Sequence, residues 1–166
     1  MAIKEQQSSS SGKIIVRNAV EDFLTSDEWH YRYNEENETI VAGVNIKSKL
    51  KETELRIRIG DHRYIVYAYI NIAADEDCRE RVAEYIARAN YGLTWGNFEL
   101  DMRDGEIRYK YPVDFGDDCD TIPSDSIIAR SIYIPCEMMQ KYGDGLIAVM
   151  YDIKTPEEAI KEAEAD

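Results

Sequence analysis

Asn97-Phe98-Glu99-Leu100-Asp101-Met102-Arg103-Asp104-Gly105-Glu106-Ile107-Arg108-Tyr109-Lys110-Tyr111 carries two patterns at once. Asp104-Gly105 is the preferred chemistry for a two-residue hairpin turn, because both residues tolerate the left-handed backbone such a turn needs. Folding about it sets Met102 opposite Ile107, Leu100 opposite Tyr109 and Phe98 opposite Tyr111, which makes one face apolar. The same register pairs Arg103 with Glu106, Asp101 with Arg108 and Glu99 with Lys110, every pair oppositely charged. An antiparallel hairpin from Asn97 to Tyr111 is therefore expected, and with it a sheet that buries one side.

Outward from the hairpin the same period recurs. Trp29, Tyr31 and Tyr33 alternate with polar neighbours, as do Ile40, Ala42, Val44 and Ile46, and then Leu55, Ile57 and Ile59. Gly60-Asp61 reverses the chain into a fourth strand, Arg63 to Ile72, which is apolar on both faces. With Ile59 opposite Tyr64, or alternatively His62, the residues Val66, Ala68 and Ile70 share the core face. Ile65, Tyr67 and Tyr69 then face the other way.

Helical periods flank these strands. Val16, Ala19, Val20, Phe23 and Leu24 mark a first helix from Lys13 to about Ser26. Cys78, Val82, Tyr85 and Ala89 mark a second, opened by Asp75 to Asp77 and followed by Gly92 as its terminator. From Ser124 to Tyr151 the spacing is again helical, but Pro135 interrupts it and predicts a kink or two abutting helices. Thr155-Pro156-Glu157-Glu158 reads as an N-cap, an N1 proline and an N3 glutamate opening a last short helix. The expectation is an α+β domain of order α-ββββ-α-ββ-α, with about five to six antiparallel strands and helices on one face. Residues 1–12, with the Ser8 to Ser11 run, read as a flexible leader, and residues 13–166 as one domain without repeat or linker.

Composition narrows the function classes. Asp+Glu 33 against Lys+Arg 20 gives a formal charge of -13, which disfavours nucleic acid and anionic membrane as partners. No apolar run approaches the roughly 20 residues that span a bilayer. The three cysteines, Cys78, Cys119 and Cys136, form no CxxC pair and are expected reduced, which places the chain in the cytoplasm. His30 and His62 lack ligand-spaced neighbours, so neither a metal site nor any other cofactor is expected. Asp114-Phe115-Gly116 spells a kinase triplet without the glycine-rich loop or catalytic segment of that fold, and reads as coincidence. The carboxylates of Asp114 to Asp120 lack the spacing of an EF-hand and read as a solvated loop; a metal-dependent sensor or enzyme built on them is the alternative. No catalytic constellation is visible. The candidate binding residues are Val41, Ile65, Tyr67 and Tyr69, projecting from the uncovered side of the sheet, and Tyr91 and Trp95 at a helix-to-strand corner.

Val82-Ala83-Glu84-Tyr85-Ile86-Ala87-Arg88-Ala89-Asn90-Tyr91-Gly92-Leu93, Gly96 to Asp101, Asp104 to Lys110 and Thr155 to Ile160 together resemble the YbjN domain family of bacterial sensory-transduction regulators. The resemblance spans Lys13 to Ile160. It implies a fold similar to type III secretion chaperones, a homodimer, and a regulatory or chaperone-like protein-binding role without known catalytic residues. The acidic Gly116 to Thr121 segment and Pro135 depart from the family pattern.

Overall fold

A computed structural model describes residues 2–116 and 123–165, with side chains from Gly12 onward. The elements run α1 (Ala2–Ser26), β1 (Tyr31–Asn34), β2 (Thr39–Asn45), β3 (Glu52–Gly60), β4 (Arg63–Tyr69), α2 (Arg79–Asn90), β5 (Asn97–Leu100), β6 (Ile107–Asp114), α3 (Asp125–Met150) and α4 (Pro156–Ala163). This is the expected α+β order, with the closing helical region divided into two. The helical backbone of α1 reaches back before Lys13, into the segment 1–12 set apart above.

The six strands form one antiparallel sheet in the order β1-β2-β3-β4-β6-β5. Its register stacks residues of one parity into rows. Ile40, Ile57, Val66 and Tyr111 form one such row, and Ala42, Leu55, Ala68, Tyr109 and Phe98 another. All of these are buried. Ile59 lies opposite Tyr64, one of the two partners expected for it. Against these rows pack Val16, Val20 and Leu24 of α1, Val82, Tyr85 and Ala89 of α2, and Ile128, Ile132, Met139 and Leu146 of α3. Each fully buried aliphatic or methionine side chain contributes about 1.5–3 kcal/mol relative to exposure, so these rows drive the fold.

Three tyrosines, Tyr64, Tyr85 and Tyr109, are among the largest fully buried side chains. Each phenol is satisfied, as burial of a hydroxyl requires. Tyr64 Oη lies 2.9 Å from Ser131 Oγ, Tyr85 Oη donates to the Tyr142 carbonyl at 2.9 Å, and Tyr109 Oη donates to the Trp95 carbonyl. Burial pushes the Tyr64 and Tyr109 phenols up to about 12.

Two local expectations need correction. The β5–β6 hairpin forms, but its strands slide by two residues: Leu100 faces Ile107, Glu99 faces Arg108 and Phe98 faces Tyr109. An even slide keeps parity, so the apolar face survives while the pairs change. The cause lies in the connection. Asp101 Oδ1 accepts from Arg103 N at 2.9 Å, Asp104 Oδ1 accepts from Glu106 N at 3.0 Å, and Gly105 N donates to the Asp101 carbonyl at 2.8 Å. These local bonds build a wider loop, which docks where Ala74 N donates to the Gly105 carbonyl at 2.9 Å. Met102, expected in the apolar ladder, is consequently exposed.

The second correction concerns Pro135: of the kink or two abutting helices expected there, the second is ruled out, because α3 runs through it without a break. An interior proline costs about 3 kcal/mol. Ile128, Ile132, Met139, Leu146 and Val149 on the same helix are fully buried, and at about 1.5–3 kcal/mol each they outweigh that cost. At the chain's end the Thr155–Glu158 capping box forms as read, with Glu158 N donating to Thr155 Oγ1 at 3.2 Å and Thr155 N to Glu158 Oε2 at 3.0 Å.

Gly105 has φ +80°, and a Cβ there would overlap the Ala74 backbone. Gly105→Ala is expected to destabilise the fold by about 2 kcal/mol, from left-handed strain plus the displaced loop. Urea unfolding measures it; an unchanged midpoint would show that the loop does not need this docking.

Candidate functional site

The register that turns one parity toward the helices leaves the other parity uncovered, and that bare face is where side-chain chemistry converges. One row across it reads Arg32, Val41, Arg56, Tyr67 and Lys110. The neighbouring rows add Glu54, Tyr69, Arg108 and Glu99 on one side and Arg58 with Ile65 on the other. Val41, Ile65, Tyr67 and Tyr69 are half-buried among long charged side chains, whose stems cover apolar surface while their heads stay in water.

Order on this face comes from guanidinium–phenol stacking. Arg56 lies 4.4 Å over the Tyr69 ring and Arg108 lies 4.6 Å over the Tyr67 ring, with the two rings 6.0 Å apart. Such cation–π contacts contribute about 0.5–1 kcal/mol at exposed positions. Carboxylates complete the ladder. Arg56 Nε donates to Glu54 at 2.6 Å, Arg108 Nε to Glu99 at 2.7 Å, and Lys110 Nζ to Glu99 at 3.2 Å. Partial burial pulls the Glu99 carboxyl upward, but the bonds from Arg108 and Lys110 outweigh it and hold the group below the usual range. The curved face and the β1–β2 turn enclose an open groove of about 1000 Å³, lined by Arg32, Val41, Arg56, Arg58, Tyr67 and Tyr69 and rimmed by Glu35 and Glu36.

Tyr91 and Trp95 do not join this face. Tyr91 is 91% exposed just past α2, and Trp95 is 49% exposed. The indole stacks on Tyr111, with centroids 6.4 Å apart, and Arg130 of α3 sits 5.4 Å over it. Tyr111 belongs to the helix-facing parity, so this corner lies on the opposite side of the sheet. The six candidates thus divide into a bare-face group of four and a separate corner of two.

The other chemical candidates are placed as follows. Cys78 and Cys136 are free and buried, and burial pushes the Cys136 thiol up to about 12. Asp114 Oδ1 accepts from Gly116 N at 2.8 Å, and the Phe115 ring packs against Tyr64 at 6.0 Å. Cys119 and the carboxylates of Asp117, Asp118 and Asp120 lie outside the described residues. Among the described residues no group of three or more His, Cys, Asp or Glu side chains is arranged to hold a metal ion. What the residue-by-residue reading missed is the cationic set, Arg32, Arg56, Arg58, Arg108 and Lys110, gathered beside Tyr67 and Tyr69. The signal was present: Arg56 and Arg58 occupy polar positions of the Leu55–Ile57–Ile59 alternation, opposite Tyr67 and Ile65 of the next strand.

A family model described as "Putative bacterial sensory transduction regulator", the YbjN family, matches residues 17–147. Among solved structures the chain is similar to the crystal structure of YbjN, "a putative transcription regulator from E. coli", with TM-score 0.55 and 8% identity, covering 82% of this chain and 90% of that one. At that identity the likeness concerns the fold. Comparison with curated proteins gives no match.

Glu99→Gln is expected to lower stability at neutral pH by about 1 kcal/mol, a value for a half-exposed ion pair. Because the folded-state carboxyl is held low, its contribution is present above the unfolded value near pH 4 and is lost as pH falls through the folded value. Urea midpoints of wild type and variant should therefore converge at acid pH, once the folded-state value is passed; a gap independent of pH would exclude the ion pair as its source. Cys136 should resist alkylation in the native protein at neutral pH and react only on unfolding, as mapped by peptide mass spectrometry.

Proposed function

The chain belongs to the YbjN family, and from that premise we propose that it is a non-enzymatic regulatory module that binds a protein partner through the bare face of its sheet. The observation that carries the reading is the ordered Arg–Tyr ladder around Val41, Ile65, Tyr67 and Tyr69. Aromatic and arginine side chains there offer contact area and directed donors with little rotamer freedom left to lose. A stacked, ion-paired surface is pre-organised, and pre-organisation lowers the entropic cost of association.

The free thiols Cys78 and Cys136 support a cytoplasmic, reducing location. A homodimeric state and a chaperone-like action rest on the family resemblance, and Tyr91 with Trp95 forms a second, smaller contact region in this reading. The net charge of -13 disfavours nucleic acid as the partner.

Position-specific photocrosslinking in cells tests the proposal. A benzophenone amino acid placed at Tyr67 or Val41 should give discrete protein adducts, whereas the same group at Glu84, exposed on α2, should give few. Equal adduct patterns at all three positions, or none at the first two, would remove the bare face as the partner surface.

A further inference from the structure

Resting on the reading of the bare face as a protein-binding surface, we infer that the segment it takes is acidic: an extended stretch with carboxylates four residues apart and an apolar side chain midway between them, all on one side. The first support is the charge distribution. Strand residues on this face include six basic ones, Arg32, Arg56, Arg58, Arg63, Arg108 and Lys110, against four acidic ones, Glu52, Glu54, Glu99 and Asp114. Glu35, Glu36 and Glu38 of the β1–β2 turn and Glu106 beside Arg108 offset that excess at the edges, so in a chain of formal charge -13 the positive charge of this face is confined to its strands.

The second support is how those charges are used. Glu54 and Glu99 engage Arg56, Arg108 and Lys110, and Glu52 accepts from Asn71. Arg32 and Arg58 are exposed and form no ion pair among the described residues. Each guanidinium presents a planar fork that matches a carboxylate. The two stand on β1 and β3, one strand apart and one side-chain step offset along the strands, which puts their backbones about 12 Å apart from sheet spacings. Carboxylates four residues apart in an extended segment span about 13 Å and share a side with the residue midway between them. Between the forks lies Val41 of β2, apolar and half-buried, with Ile65 beyond Arg58 on β4, so an acidic segment carrying an apolar residue midway between two carboxylates matches both the charges and the surface.

A polyanion fits less well. Its phosphates would run beyond the patch, past Glu35 and Glu36 on the groove rim, onto a surface whose charge repels them. A short acidic segment places a few charges on the two open forks and stops.

Fluorescence anisotropy with the full chain tests this. The probe is a short fluorescein-labelled peptide in which every second residue is in turn glutamate and leucine, with serine between; comparators are the same peptide with glutamine or lysine for each glutamate, and a short oligothymidylate. The acidic peptide should bind saturably, more weakly as salt rises, and at least about tenfold more weakly to the R32Q/R58Q variant. R32K/R58K should recover part of the loss, since it keeps charge but not the fork. Both variants should melt as wild type does. Equal affinity for the glutamate and glutamine peptides overturns the inference, as does tighter binding of the oligothymidylate, or no peptide binding at all. Loss of self-association in R32Q/R58Q without competition by the peptide also overturns it, because a second copy would then occupy the face. If crosslinks at Tyr67 persist while peptide charge has no effect, only the acidic preference is lost; if the crosslinks are absent too, the surface reading fails with it.

Discussion

A strand alternates its side chains with a period of two, and in this protein that constraint fixes nearly everything else. Once Leu55, Ile57 and Ile59 face the helices, pairing in register obliges Ala68, Val66 and Tyr64 to face them as well. The intervening residues are then committed to the opposite side. Helices α1 and α3 lie against the sheet's central strands, while α2 packs by β5. The covered face closes over Tyr64 and Tyr109, whose hydroxyls find partners inside. The bare face follows as a geometric consequence of the core.

An acidic chain must still manage its cations, and it does so by dividing them. Arg56 and Arg108 are fixed by carboxylates and tyrosine rings, and their stems shield the apolar atoms of Tyr67 and Tyr69 from water. Arg32 and Arg58 are left on the same surface without such partners among the described residues. A single half-buried face thereby combines rigid aromatic contact area with charge that attracts what the rest of the molecule repels.

Much of this was legible from residue order. The facing of β3 and β4, the end of α2 before Gly92 and the capping box of α4 rest on local chemistry or on strict alternation, and the structure places them as read, with Tyr64 the one of two expected partners that Ile59 takes. The β5–β6 hairpin shows where such reading stops. Asp104-Gly105 has the chemistry of a tight turn, yet the loop takes a wider form because Asp101 and Asp104 bond locally and Gly105 docks on Ala74. Pro135 is the converse case, a local helix breaker overruled by burial along α3. For the candidate site, alternation sufficed to put Ile65, Tyr67 and Tyr69 together, and Val41 with them. Tyr91 and Trp95 are already set apart by sequence at a helix-to-strand corner, but that this corner lies on the helix-covered side shows only in the stacking of Trp95 on the helix-facing Tyr111.

The amino-acid sequence alone determined the fold class, the parity of each strand and the acidic character of the chain, because these depend on spacing and composition within a few residues. Only the tertiary structure decided the hairpin's two-residue slide, the continuity of α3 and which arginines stack on tyrosines. The continuity of α3 and the stacking depend on contacts between segments distant along the chain, whose energies of a few kcal/mol exceed the local preferences they override, and the slide depends on the docking of Gly105 on Ala74 together with bonds inside the loop.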